Sequence, residues 1–170
     1  LTIVIAPEGG DDIAAIADAV ARAFGRADEA LLVEALRQSG DLAVSLVARD
    51  DRAIVGHIAF QPLTLDPPPS TPLVAMSLAP VSVLPDHHRR GIGTALIRAG
   101  LEKLTSMGCD IVFVLGDPGY YGRFGFRAET ALPFSVPWAG PHFQALRLSN
   151  RPLPSAAELA YPAAFFGGVA

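Results

Sequence analysis

Apolar residues in the first forty positions fall into three patterns. Thr2 to Ala6 is an apolar, β-branched run closed by Pro7 and the Gly9–Gly10 pair, which predicts a short strand. Asp11 and Asp12 then offer an N-cap. Ile13, Ile16, Ala17, Val20 and Phe24 follow at intervals of three and four, the spacing of one helix face, until Gly25 ends the run. A second helix is predicted from Asp28 to Gln38, with Leu31, Leu32, Ala35 and Leu36 inside and Gly40 as the stop.

Beyond residue 40 the period changes. Leu42 to Ala48 and Ala53 to Leu63 are β-rich runs joined by the polar stretch Arg49-Asp50-Asp51-Arg52, the pattern of an antiparallel hairpin. Thr64 to Pro72 holds four prolines and predicts an irregular or polyproline-like loop. Leu73 to Leu84 reads as the next strand. Pro80 within it lacks an N–H for a sheet ladder, which predicts a bulge or a splayed edge. A helix over Gly91 to Met107 precedes Gly108, a strand over Asp110 to Leu115 and a short helical turn over Pro118 to Phe124. From Phe126 the chain is expected to return to extended form, with His142 to Leu148 as a final strand of imperfect alternation. The tail from Arg151 is rich in Pro, Ala and Gly and offers Phe165 and Phe166 as anchors. This order predicts a mixed α/β sheet in one domain over residues 1–150, with 151–170 as a C-terminal extension packed on the same domain.

Composition narrows the class. A chain of 170 residues, 51% hydrophobic and 18% charged, suits one domain that buries about 70% of its unfolded surface. Its apolar content and net charge of −4 exclude disorder. The single cysteine, Cys109, excludes a disulfide framework and a Cys-based zinc site, and fits a reducing cytosol. The mean hydropathy of +0.37 raises the membrane question. However, the longest weakly polar stretch, Leu73 to Leu84, is interrupted by Ser77, Pro80 and Ser82 and falls short of the roughly 18 apolar residues of a spanning helix. No signal-peptide pattern opens the sequence. A soluble, cytoplasmic protein with no membrane partner is expected. A pI near 5.5 argues against a broad nucleic-acid footprint.

The most informative segment runs from Val81-Ser82-Val83 through His87-His88-Arg89-Arg90-Gly91-Ile92-Gly93-Thr94, a strand feeding a tight glycine turn that opens a helix. The first N–H groups of a helix lack intrahelical acceptors, and the helix dipole adds positive potential, so such an end binds phosphate. Gly91 and Gly93 leave room for close backbone approach, Arg89 and Arg90 add charge, and Thr94 adds a hydroxyl donor. The P-loop ending Gly-Lys-Ser/Thr is absent, and a dinucleotide fingerprint needs glycine where Leu96 stands. A plain strand-to-helix turn with solvated arginines is the alternative. Adjacent His87 and His88 raise a metal reading. Two neighbouring side chains without a carboxylate–His set make a poor site, so no metal is expected.

His88-Arg89-Arg90-Gly91-Ile92-Gly93 resembles the Gln/Arg-x-x-Gly-x-Gly/Ala acyl-CoA loop of the GNAT superfamily of N-acyltransferases. Gly56-His57-Ile58-Ala59-Phe60 upstream and Tyr121-Gly122-Arg123-Phe124-Gly125-Phe126 downstream resemble that superfamily's motifs in the same order. Leu115-Gly116-Asp117-Pro118-Gly119-Tyr120-Tyr121 is most similar to the bacterial YhbS-like branch. The likeness covers roughly residues 2 to 130. It departs at His88, where the family usually has Gln or Arg; a neutral imidazole still donates one hydrogen bond to a phosphate.

The resemblance implies a GNAT-like fold, with a central mixed, mostly antiparallel sheet flanked by helices and a splayed pair of fourth and fifth strands. It implies acetyl-CoA as cosubstrate and no metal. Main-chain groups of Val81 and Val83, with Ser82 between them, would pair with the pantetheine arm. His88, Arg89, Arg90, Gly91, Ile92, Gly93 and Thr94 would hold the pyrophosphate. Tyr121 matches a tyrosine near the CoA sulfur; a phenol of ordinary pKa about 10 stays protonated at neutral pH and donates to the departing thiolate. Tyr120 reads as packing. The general base stays unassigned: the strand carrying Ser77 and Ser82 has no carboxylate, Asp117 is equally a turn or cap residue, and His57 is a sheet residue or a ligand-facing one. The implied activity is acetyl transfer to a primary amine of a small molecule, peptide or protein, by a bacterial monomer or homodimer. A non-catalytic acyl-CoA-binding module remains open, as does an interaction domain using the proline-rich loop and the Phe165–Phe166 tail.

Overall fold

In a computed structural model that describes residues 2–167, the opening β-branched run forms β1 (Ile3–Pro7), followed by α1 (Ile13–Phe24) and α2 (Asp28–Ser39). The hairpin is β2 (Val44–Asp50) and β3 (Ala53–Asp66), joined through Asp51 and Arg52. Asp51 takes a φ of 55°, a left-handed turn position that Asp tolerates. Next come β4 (Ala75–Val83), α3 (Ile92–Ser106), β5 (Ile111–Leu115), α4 (Pro118–Tyr121), α5 (Ala128–Ala131), β6 (Phe134–Ser135), β7 (Phe143–Arg147) and β8 (Ala157–Ala160). The strands hydrogen-bond in the order β1-β2-β3-β4-β5-β7, with β8 pairing β3 and β6. β1–β2, β2–β3 and β5–β7 are antiparallel, whereas β4 and β5 run parallel. The protein is a mixed α/β fold with a mostly antiparallel sheet. The β4–β5 pairs run from Ala75↔Ile111 to Ser77↔Phe113, and β4 continues to Val83 beyond the last of them.

β2 runs on to Asp50 and β3 to Asp66, past the strand ends expected from the sequence, and three further elements differ from the expectation. Past Phe126 the chain makes α5 before β6, and the tail contributes β8. Each has four residues or fewer, too short for a helix period to register. In β8 the burial alternates perfectly, but its Ala-Glu-Leu-Ala composition carries little β propensity.

The elements gather into two compact units, the first of residues 2–61, 79–103 and 163–167 and the second of 62–78 and 104–162. In the first, α1 buries Ile16, Ala19 and Val20, while Ile13 and Phe24, expected on that face, sit exposed at its ends. Val33 and Leu36 form the inner face of α2, and Leu31, expected inside, is 65% exposed. The apolar residues of this helix cover two adjacent stripes, so periodicity alone left its rotation open. A tertiary ion pair accompanies the observed rotation: Arg37 grips Glu8 through Nε and Nη2. A Cβ on Gly100 of α3 would lie 2.5 Å from Phe60 Cζ of β3, so this close crossing needs glycine.

In the second unit Phe113 stacks on Phe143 at 5.5 Å and meets Phe134 edge-on at 4.8 Å. Asp110, buried at the start of β5, accepts from Val74 N–H (2.8 Å) and the Ser149 hydroxyl (2.6 Å) and lies 3.4 Å from Arg151 Nε. The tail thus serves both units, β8 pairing with Thr64–Asp66 in the second and Phe165 lining a small pocket with Leu32 of α2 in the first. Phe166, expected as an anchor, is 61% exposed. Among the described residues no helix is long and apolar enough to cross a membrane.

Candidate functional site

The end of β4 and the start of α3 lie in the first unit. Leu84 N–H bonds Val55 O, and a single 3-10 turn over Pro85–His87 leads into the glycine loop. Arg89 adopts φ 62° and Gly91 φ 75°, with Arg90 between them at negative φ. Two left-handed positions within three residues turn the chain sharply where the helix opens. Left-handed backbone costs a non-glycine residue about 1–2 kcal/mol, so Arg89 is strained where a glycine would not be. Gly91 O accepts from Ala95 N–H (3.0 Å), which makes Gly91 the N-cap and leaves the N–H groups of Ile92, Gly93 and Thr94 as the unpaired first turn of α3. Arg89 and Arg90 are both exposed. Gly56 lets β3 approach this region: a Cβ there would sit 3.1 Å from Ser82 O and 3.2 Å from Ile92 Cγ2.

His88 is hydrogen-bonded to the backbone. Its Nε2 lies 2.9 Å from Val83 O, and a carbonyl only accepts, so the ring donates there. The one N–H of a neutral His88 is committed to the backbone, whereas the sequence reading offers it to a phosphate. Its neighbour His87 approaches Asp50 Oδ2 at 3.4 Å through Nε2.

Tyr121 lies in the second unit, at the end of α4, which Asp117 caps by accepting from Gly119 N–H (3.0 Å). Asp117 is therefore occupied as a cap. The Tyr121 ring meets Tyr120 edge-on at 5.0 Å and Phe126 at 5.9 Å. Its hydroxyl pKa is pushed up to about 12, first by burial and then by Tyr120. Gly116 makes room for this ring, since a Cβ there would lie 2.9 Å from Tyr121 Cδ2 and closer still to Cε2. Tyr120 packs against Phe124 and carries the Arg123 guanidinium 4.6 Å above its ring.

Among the described residues four buried side-chain atoms lack a hydrogen-bond partner: His57 Nδ1, Gln61 Oε1, Ser82 Oγ and His87 Nδ1. All belong to the first unit, on β3, on β4 and in the turn after it. His57 is fully buried, with Nε2 2.8 Å from Ser45 Oγ, and its pKa is pushed down to about 4 by burial and then by the charge of Arg37. His57 and Ser82 stand out in the sequence, whereas Gln61 shows there only as a lone amide inside the apolar run Ile58-Ala59-Phe60-Gln61-Pro62-Leu63.

Residues 6–128 match the acetyltransferase (GNAT) domain family. The chain belongs to the GNAT acetyltransferase family. It is 44% identical over 118 residues to the uncharacterized N-acetyltransferase YjhQ of Escherichia coli, a match covering 68% of this chain and 65% of YjhQ, just under two thirds of that protein's length. The uncharacterized N-acetyltransferase YhbS of the same bacterium is 34% identical over 132 residues, 76% of this chain and 77% of YhbS. Among solved structures, a GNAT family acetyltransferase from Brucella melitensis in complex with acetyl-CoA superposes with a TM-score of 0.81 at 36% identity, over 96% of this chain and 98% of that one. YhbS in complex with CoA superposes with a TM-score of 0.86 at 30% identity, over 98% and 93%. This GNAT chain thus keeps the family's order of strand, glycine loop and helix with a histidine at position 88.

Proposed function

We propose that the chain is an acetyl-CoA-dependent N-acetyltransferase acting on a primary amine of a small molecule, peptide or protein. The observation that carries this reading is its 36% identity, along 96% of its length, to the Brucella melitensis acetyltransferase whose crystal structure holds acetyl-CoA. The residues present fit that ligand. Positive φ at Arg89 and Gly91, the open first turn of α3 and two exposed arginines provide N–H donors and positive charge for a pyrophosphate, and the buried Ser82 hydroxyl lacks a partner among the described residues.

Acetyl-CoA supplies the acyl group already activated as a thioester. In our reading Val81 and Val83 offer main-chain groups to the pantetheine arm beyond the last β4–β5 pair, with Ser82 between them. Arg89, Arg90, Gly91, Ile92, Gly93 and Thr94 hold the pyrophosphate. His88 supports the loop through Val83 rather than by touching phosphate. Tyr121 donates a hydrogen bond to the departing sulfur. With its hydroxyl near pKa 12, full proton transfer to a thiolate of ordinary thiol pKa about 8.5 is uphill by more than three decades, so its part is to stabilise developing negative charge. β4 carries no carboxylate, and an amine that arrives neutral needs none.

Thiol release from acetyl-CoA in the presence of a panel of primary amines tests this reading, together with the thermal shift that acetyl-CoA induces. Release above the amine-free rate is expected. Absence of any shift at millimolar acetyl-CoA rejects the assignment, whereas a shift without release by any amine leaves an acyl-CoA-binding module.

A further inference from the structure

A glutamine carboxamide carries two donors on nitrogen and an acceptor on oxygen. Gln61 is fully buried in β3, and its Nε2 donates to Ala79 O of β4. That bond decides which end of the amide is which, because the flipped amide would set oxygen against oxygen. Oε1 is therefore a buried acceptor of known identity, and it has no partner among the described residues. The other three unpartnered atoms are less defined. The Ser82 hydroxyl rotates, and for His57 and His87 the state of Nδ1 follows the tautomer. Gln61 alone presents one fixed, unmet valence.

Its position gives that valence a use. Ala79 comes two residues after Ser77, the last β4 residue paired with β5, and two before Val81. The carbonyl there, ahead of Pro80 with its missing N–H, accepts from the Gln61 side chain. Whatever meets Oε1 has to bring a donor, N–H or O–H. The two reactants of acetyl transfer each bring one: the pantetheine arm has amide N–H groups, and the acceptor has its amine.

We propose that Gln61 is a reactant-binding residue whose Nε2 pins the Ala79 carbonyl and whose Oε1 accepts a hydrogen bond from an N–H of the bound reactants. This rests on the acetyltransferase reading above. Gln61→Met keeps the side chain's length and removes both polar ends. Using acetyl-CoA and an amine that the wild type acetylates, equilibrium acetyl-CoA binding and the amine KM are measured separately. A loss of about tenfold is expected in one arm, the size of one net hydrogen bond. Weaker acetyl-CoA binding identifies the pantetheine amide; a raised amine KM with acetyl-CoA binding intact identifies the acceptor. A folded variant unchanged in both arms overturns the proposal.

Because Gln61→Met also unpins Ala79, a second measurement uses the unaltered protein. Of the three glutamines, Gln38, Gln61 and Gln144, the side-chain amide resonances of Gln61 should shift with saturating acetyl-CoA or amine in nitrogen-15-labelled protein. No shift with either ligand overturns the proposal even if the variant misfolds. Wild-type protein that binds no acetyl-CoA refutes the acetyltransferase reading itself, a result distinct from bound acetyl-CoA with an unresponsive Gln61.

Discussion

Replacing Gly116 with alanine displaces Tyr121 using one carbon atom. Gly116 follows β5, donates its N–H to His142 O (3.0 Å) and accepts from Gln144 Nε2 (3.2 Å). Its backbone lies outside the left-handed region, so alanine meets no conformational strain and the whole effect passes through the new methyl group. That carbon would lie 2.9 Å from Tyr121 Cδ2 and nearer still to Cε2. Carbon atoms rest about 3.5–4.0 Å apart, so the ring has to withdraw by roughly 1 Å. It has little freedom to do so, flanked by Tyr120 and by Phe126, which is 1% exposed. Overpacking of this kind costs about 1–3 kcal/mol of stability. A displacement of about 1 Å in a group aligned on a substrate lowers turnover by about 100-fold. Thiol-release kinetics, thermal melting and calorimetric acetyl-CoA binding are the assays. The expected result is a modest fall in melting temperature, a large fall in kcat and retained acetyl-CoA affinity. Tyr121→Phe should lower kcat alone, and adding Gly116→Ala to it should cost little more, since both act through one hydroxyl. Full turnover in folded Gly116→Ala, or fully additive losses in the double variant, would refute the role of Tyr121.

Three other outcomes follow from named contacts. His57 sits near pKa 4 in the folded state against 6.5 when exposed, so the unfolded chain binds the extra proton first; stability should be full above about pH 6.5 and fall by roughly 3 kcal/mol by pH 4, a slope that denaturation of His57→Phe at several pH values should flatten. At Asp110 desolvation alone would raise the pKa, but the Ser149 and Val74 hydrogen bonds and the Arg151 charge outweigh it and hold the carboxyl below 3.8. Its stabilisation is thus present above about pH 4 and lost below, and Asp110→Ala, which strands two donors, should cost about 2–4 kcal/mol in urea unfolding. Arg89→Gly relieves left-handed strain of about 1–2 kcal/mol against a glycine entropy cost of roughly half that, so melting should stay level or rise. Acetyl-CoA affinity should fall with the lost charge, and equal affinity by calorimetry would remove Arg89 from the binding loop.

Local patterns in the sequence were enough for the long helices, the hairpin and the placement of the glycine loop between β4 and α3. These features depend on residues close in the chain: apolar spacing along α1, glycine at the left-handed helix ends Gly25 and Gly40, and Gly91 at the N-cap of α3. Where an element is short or a face ambiguous, the neighbours decided. β8 is a strand because Thr64–Asp66 pairs with it, and α2 turns Val33 inward and Leu31 outward with Arg37 on Glu8. Side-chain chemistry was the least legible part. That His88 gives its N–H to Val83, that Gln61 holds Ala79, and that Gly116 clears space for the Tyr121 ring are meetings of groups brought together by chain folding. The sequence alone determined which residue types sit on a strand, loop or helix. Only the tertiary structure decided which of their hydrogen-bonding valences are already used, because burial and pairing are properties of neighbours in space rather than in the chain.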